Sequence, residues 1–300
     1  MSKESNFIAY VFLLLTVTFW AGNFIVGKFA SLYNVPPFSL NFYRWFFAWL
    51  ILAPFTLPEI IRKKDYIIKN YKLFIILGVT SITIFNSIVY YSLNFTQVIS
   101  GVLMISTIPV MIMFFSSILK IEKTNIFQII GVILSFIGVI VIITKANFEI
   151  LKNLNFNKGD ITMVVAVLSW ALYSTLLKKQ KYEISQLSLL QVVMSFGLIF
   201  LIPIYFIEYQ LGFRITLEKP FILILSYVVL LPGLASFILW IKGISIIGAN
   251  RSGVFLHLMP IMSAIMAMII FNEKFMFYHM LGACFIITGI LLSNKKVLNA

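Results

Sequence analysis

The chain has 300 residues, of which 61% are hydrophobic and 11% charged, with a mean hydropathy of +1.02; a water-soluble domain carries roughly 45–50% apolar and about 25% charged residues. That composition excludes a soluble globular protein. The formal charge of +13 does not point to nucleic acid either, because the basic residues are dispersed in short groups at the ends of apolar runs, where they report membrane topology.

Charged residues, prolines and polar clusters cut the sequence into runs at about residues 7–30, 38–57, 73–93, 98–119 and 126–144, then 161–177, 187–207, 221–241, 249–271 and 277–292. A spanning helix takes about 20 apolar residues, so ten spans leave no room for an extramembrane domain. In hydrocarbon each segment must satisfy its own backbone groups, which predicts a helix for every run and an all-α polytopic membrane protein with the lipid bilayer as its surroundings. The first run has no convincing small-residue cleavage site and continues to Ala30, so it is expected to remain as a span. Cys284, the single cysteine, allows no intrachain disulfide and is expected to be a small packing residue.

Taking connections alternately, one side holds Lys3, Arg62, Lys63, Lys64, Lys69, Lys72, Lys120, Lys123, Lys178, Lys179, Lys181, Lys242, Arg251, Lys295 and Lys296. The other holds Lys28, Lys145, Lys152, Lys158, Arg214, Lys219 and Lys274. The excess predicts both termini in the cytoplasm.

Internal repetition is the strongest signal. Pro109, Glu122, Lys123, Gly131, Gly138 and Lys145 recur 151 positions later as Pro260, Glu273, Lys274, Gly282, Gly289 and Lys296. Trp20-Ala21 and Lys28 recur at an offset of 150 as Trp170-Ala171 and Lys178. The expected organisation is a first repeat over residues 1–145, a connector over 146–157 and a second repeat over 158–300. Five spans per half is an odd number, so the second half enters the membrane from the opposite face. Two inverted five-helix repeats around a central cavity are a recurrent transporter plan.

Trp20-Ala21-Gly22-Asn23-Phe24 with Lys28, Arg44 in the second span, and the repeated Pro, Glu-Lys, Gly, Gly block resemble the ten-helix EamA family of the drug/metabolite transporter superfamily. The resemblance covers essentially the whole chain. It implies a secondary transporter that exports or exchanges small metabolites, often amino acids, through a cavity between the halves by alternating access. S-adenosylmethionine or a similar nucleoside-like metabolite, carried by some relatives, is the alternative cargo. It also implies a multi-pass protein of a bacterial cytoplasmic membrane for which a monomer is sufficient; the sequence gives no oligomeric state.

All ten acidic residues fall in tails, connections or span ends. A buried carboxylate is the usual proton relay and counter-charge for a cationic drug, and small multidrug members of the superfamily depend on one in their first helix. Here that helix offers Trp20, Asn23 and Lys28, which disfavours cationic drug efflux. The ionisable groups at membrane depth are Arg44, His257 and, nearer an end, Lys28. Arg44 is expected either to receive a substrate carboxylate or to anchor its helix to neighbouring carbonyls, and Lys28 to snorkel. His257 suits either a proton relay or a neutral hydrogen bond between helices.

Pro109 and Pro260 each remove a hydrogen bond within a helix, and matching interruptions mark candidate kink or gating positions. Pro232-Gly233 has no counterpart near Ser81, an asymmetry expected to shape one gate. Trp20 and Asn23, Asn86 and Tyr90, Trp170 and Tyr173, and Trp240 with Ser236 recur at helical spacing as candidate cavity-lining groups. Gly131, Ser135 and Gly138, with Gly282 and Gly289, make small-residue stripes for helix packing. Glu122 is expected to favour the positive end of the helix that follows it. No cofactor motif or metal-ligand spacing is present, and the two histidines with no HExxH and no paired acids leave an intramembrane enzyme without its usual groups.

Overall fold

The computed structural model describes residues 3–96, 98–147, 149–152, 157–215, 219–271, 274 and 276–295, and every regular element among them is helical. The long elements are α1 (Lys3–Leu32), α2 (Pro37–Arg62), α3 (Tyr71–Ser92), α4 (Val98–Ile105 and Ile108–Ile118) and α5 (Ile126–Ile143). They are followed by α6 (Lys158–Leu176), α7 (Gln186–Gln210), α8 (Lys219–Ile247), α9 (Ala249–Gly253, Val254–Leu258 and Met259–Phe271) and α10 (Phe277–Ser293). Eight helices among the described residues are long and apolar enough to cross a membrane. The other two of the ten runs are α9, broken into pieces by a tight 3-10 turn, and α10, which has 17 residues.

The helices are apolar outside and polar inside. On α5, Ile129, Ile130, Ile133 and Ile137 are exposed while Gly131, Ser135 and Gly138 are buried; on α2, Phe46, Phe47, Leu50 and Phe55 are exposed while Asn41, Arg44 and Thr56 are buried. A water-facing surface would reverse that pattern, so the outer face is built for lipid. Cys284 is exposed on this face and is not the packing residue expected.

The principal packing pairs are α5 with α10, α2 with α7, α1 with α8, α3 with α6, α3 with α7, α4 with α6, and α1 with α9. Small residues set the closest approach. A Cβ on Gly138 would stand 2.6 Å from the Gly282 oxygen and one on Gly131 2.5 Å from the Gly289 oxygen, so α5 and α10 run antiparallel with the glycine stripes facing each other.

The pair α2 and α7 is also antiparallel, and each helix caps the other. Glu59, in the last turn of α2, accepts hydrogen bonds from the Ser185 amide (2.9 Å) and the Ser185 and Ser188 hydroxyls (both 2.5 Å) at the start of α7. Glu208, in the last turn of α7, accepts from the Phe38 and Ser39 amides (3.2 and 2.6 Å) and the Ser39 hydroxyl (2.6 Å) at the start of α2. Each carboxylate satisfies donors that a helix start leaves free. Glu122 works in the same way, and not as expected: it accepts from the Ala249 and Asn250 amides of α9 (3.1 and 3.0 Å), while α5 is capped by Asn125 with Gln128. Gly248 precedes that cap at φ +90°, and a Cβ there would strike the Glu122 carboxylate. Glu273 lies outside the described residues.

Both α3 and α8 carry a π-helical stretch at the same relative place, Val79–Phe85 and Val229–Ala235. The sequence expectation that Pro232-Gly233 would make one half differ is therefore not met at the level of the backbone. A widened turn releases main-chain carbonyls from the helical ladder in both halves, and such turns concentrate at functional sites.

Candidate functional site

Arg44 sits on α2, 1% exposed, against both widened turns. Its Nη1 donates to Asn86 Oδ1 and to the Tyr90 hydroxyl on α3, each at 2.8 Å, and its Nη2 donates to the Pro232 oxygen on α8 at 2.8 Å. The Pro232 oxygen also accepts from Trp20 Nε1 on α1 at 3.1 Å. Tyr90 donates from its hydroxyl to Asn23 Oδ1 at 2.9 Å, and Asn86 donates to the Ser81 oxygen, released by the α3 turn, at 2.7 Å. Four helices thus converge on one guanidinium. All its partners are neutral, and the ion pair among the described residues, Lys63 with Glu183, lies in the connections outside the spans.

Beside this polar group stands an aromatic cluster. Trp20 and Trp170, equivalent in the 150-residue register, meet edge to face at 5.0 Å and 89°. Phe237 takes the edges or faces of Trp20, Trp45 and Trp170 at 6.0, 4.7 and 5.3 Å, and Trp240 lies 5.3 Å from Trp20. Tyr173 packs on Trp170 at 5.0 Å, and Trp240 Nε1 reaches the Ser174 hydroxyl at 3.3 Å. The same register pairs Asn23 with Tyr173, Asn86 with Ser236 and Tyr90 with Trp240. At the last two of these pairs, together with Arg44, the first half carries the charge and amide; both halves contribute rings to the cluster.

Between the two walls is a cavity of about 20 Å³, lined by Trp20, Asn23, Phe24, Phe85, Asn86, Val89, Ile105, Ile108, Trp170, Leu256 and Met259. It is room for roughly one water, so the centre is contracted. Larger recesses of about 410 and 590 Å³ open where α2 begins and α7 ends, the second lined by Ser39, Tyr43, Tyr205, Arg214, Phe221 and Leu225. A small apolar cluster of Ala30, Leu40, Tyr90, Phe221, Ile224 and Val228, separate from the main core, shares Phe221 with that recess.

Of the residues singled out in the sequence, Trp20, Asn23, Asn86 and Trp170 line the cavity, Arg44 and Tyr90 join it by hydrogen bonds, and Tyr173 and Trp240 stand behind Trp170. His257, Pro109 and Pro260 are not on it. His257 is buried between α4, α5 and α9, Pro109 opens the second piece of α4, and Pro260 follows the 3-10 turn of α9. Lys28 Nζ caps the end of α3 through the Leu93 oxygen at 3.0 Å, and Lys178 does the same for α8 through the Ser245 oxygen at 3.1 Å. The sequence reading missed the Pro232 carbonyl, Phe85, Trp45 and Phe237. Only Phe237 had a readable signal, three positions before Trp240 on the same stripe.

The chain is 26% identical over 296 residues to an uncharacterized transporter of Archaeoglobus fulgidus, covering 97% of this chain and 99% of the relative. It is 24% identical over 297 residues to the uncharacterized transporter YyaM of Bacillus subtilis, covering 96% and 94%. A solved crystal structure superimposes with a TM-score of 0.72 at 14% identity, over 97% of this chain and 96% of that one, which establishes the shared fold. The model of the EamA-like transporter family matches twice, over residues 7–144 and 157–295. With helices, repeated match and full-length relatives in agreement, the chain belongs to the EamA-like transporter family.

Proposed function

We propose that this membrane transporter is a secondary exporter or exchanger of small metabolites, amino acids first among them, working by alternating access between two inverted halves of five spans each, residues 1–145 and 158–300. Arg44 carries the reading. An arginine in hydrocarbon costs roughly 2.5 kcal/mol or more unless paired, and this one faces the protein centre with only neutral partners. A carboxylate arriving from either side supplies the missing counter-charge.

The inverted arrangement is supported by the antiparallel course of the equivalent helices α5 and α10, and of α2 and α7. Exchanging the halves maps the α1–α8 pair onto α6–α3 and α1–α9 onto α6–α4, as a two-fold relation requires. The contracted cavity fits a closed state of the cycle, with the small apolar cluster that includes Tyr90 as the seal nearest the 590 Å³ recess. The lysine and arginine distribution supports cytoplasmic termini in a bacterial inner membrane. Rings on one wall keep an adenosyl compound as the second reading.

Competition uptake into vesicles with a panel of amino acids and adenosyl compounds tests the proposal. Amino acids are expected to compete; failure of every amino acid would leave the adenosyl reading, and failure of the whole panel would remove both.

A further inference from the structure

The polar groups at the centre are unevenly matched. Three buried N–H donors have no acceptor: Arg44 Nε, Trp45 Nε1 and Trp170 Nε1, each on a residue no more than 1% exposed. Their side chains form one cluster, Trp170 alone of the three lining the cavity: the Arg44 guanidinium lies 4.9 Å from the Trp45 ring centre and Phe237 touches both tryptophans. The acceptors beside them are already used, save the Tyr173 hydroxyl against Trp170, which can donate as well as accept. Pro232 O holds Arg44 and Trp20, Ser81 O holds Asn86, Asn86 Oδ1 holds Arg44, and Asn23 Oδ1 holds Tyr90. The spare Asn41 Oδ1 belongs to a side chain whose amide is tied to Ile82 O and Ser87 between α2 and α3.

An ammonium group needs acceptors or an open ring face. Here Trp20, Trp170 and Phe237 already meet one another edge to face, and the Arg44 guanidinium beside them, held by neutral partners, repels a second cation. Buried donors left unmatched cost about 1–3 kcal/mol each, and a ligand that brings acceptors removes that cost while one that brings more donors adds to it. We propose that the site reads its cargo by acceptor groups alone: the ligand class is a carboxylate with an apolar or ring-bearing body, and the α-ammonium of an amino acid is not recognised. This rests on the transporter reading above and narrows it, since a zwitterion binds through its carboxylate only.

A matched series on one skeleton tests it: 3-phenylpropanoate (carboxylate only), phenylalanine (both charges), phenylalaninamide and phenethylamine (ammonium only), each titrated against the tryptophan fluorescence of the purified full chain. 3-Phenylpropanoate is expected to bind at least as tightly as phenylalanine, and the two cations about tenfold or more weaker, the factor for about 1.4 kcal/mol. Arg44→Gln should erase the difference; should that variant not fold, Arg44→Lys, which loses Nε and the planar fork, should shrink it. Phenylalaninamide binding as tightly as phenylalanine, phenylalanine binding over tenfold tighter than 3-phenylpropanoate, or no binding by any of the four would each overturn the inference. Transport itself is judged by the vesicle panel, so a metabolite moved with its ammonium essential would sink this assignment and leave the transporter standing.

Discussion

His257 donates a hydrogen bond from Nε2 to the carbonyl oxygen of Ser106 at 2.8 Å, and Ser106 lies 151 positions earlier, at the place in the first half that His257 occupies in the second. The two equivalent positions therefore touch. The acceptor is free because α4 is broken there: Pro109 has no amide, and the Val110 amide turns back to Thr107 O at 3.1 Å instead of reaching Ser106. On the other side of the ring, Nδ1 lies 2.6 Å from the Ser135 hydroxyl. Both ring nitrogens are thus engaged by neutral partners, and the imidazole ties the α4 break, α5 and the 3-10 turn of α9 together.

That geometry favours the bridging reading of His257 over the proton relay. His257→Gln should lower thermal stability by about 1–3 kcal/mol, the cost of leaving buried partners unmatched. The pH profile of transport should keep its shape between about pH 5 and 8, the window in which histidines ordinarily change charge. Melting of the purified chain and uptake rates across that range check both. A profile that flattens in the variant would restore the relay.

Asn86→Asp would place a carboxylate 2.8 Å from Arg44 Nη1, in a side chain of nearly the same shape. A charge-assisted bond is roughly twice as strong as a neutral one, but the second Asp oxygen replaces the amide that donates to the Ser81 oxygen at 2.7 Å, so the variant should melt close to the parent. It should also transport anionic cargo about tenfold or more slowly, because the counter-charge is then built in. Unchanged flux would show that Arg44 does not meet the cargo.

The helical framework was legible because lipid leaves the backbone one solution, and the repeat located equivalent positions before any fold was known. Arg44, Asn86, Tyr90 and Asn23 were legible for a similar reason: polar groups in apolar runs have to find each other. Pro232 was read as an interruption, but its carbonyl, shared by Arg44 and Trp20, was not, because a π turn in α3 without any proline shows that sequence does not dictate where ladders open. Trp45 was hidden by adjacency to Arg44, since consecutive helical residues ordinarily face different neighbours. Glu122 was assigned to the nearest helix start in sequence, whereas α9 brings its own start to it across the halves.

Gly138→Ala puts a methyl 2.6 Å from the Gly282 oxygen, where main chain cannot yield. Overpacking of this kind costs about 1–3 kcal/mol. Gly101→Ala, whose nearest neighbours are the ends of the Met163 and Phe24 side chains at 3.4 Å, is the control and should melt close to the parent. Thermal unfolding of the two variants in the same detergent measures the difference. Equal melting would mean that α5 and α10 separate more readily than their glycine contact implies.

The caps between α2 and α7 make the last comparison, because the two carboxylates do the same work at opposite ends in different surroundings. Glu208 is 6% exposed and serves two amides and a hydroxyl, whereas Glu59 is only partly buried. Removing Glu208 takes the acceptor from the Phe38 and Ser39 amides and the Ser39 hydroxyl together, and Glu208→Ala should cost about 2 kcal/mol, the upper range for loss of a helix cap. Glu59→Ala leaves the Ser185 hydroxyl still capping the Ser188 amide at 3.2 Å, with solvent at hand, and should cost about half as much. Melting temperatures of both variants decide the order. The reverse order would mean that the α7 start depends on Glu59 more than its exposure allows.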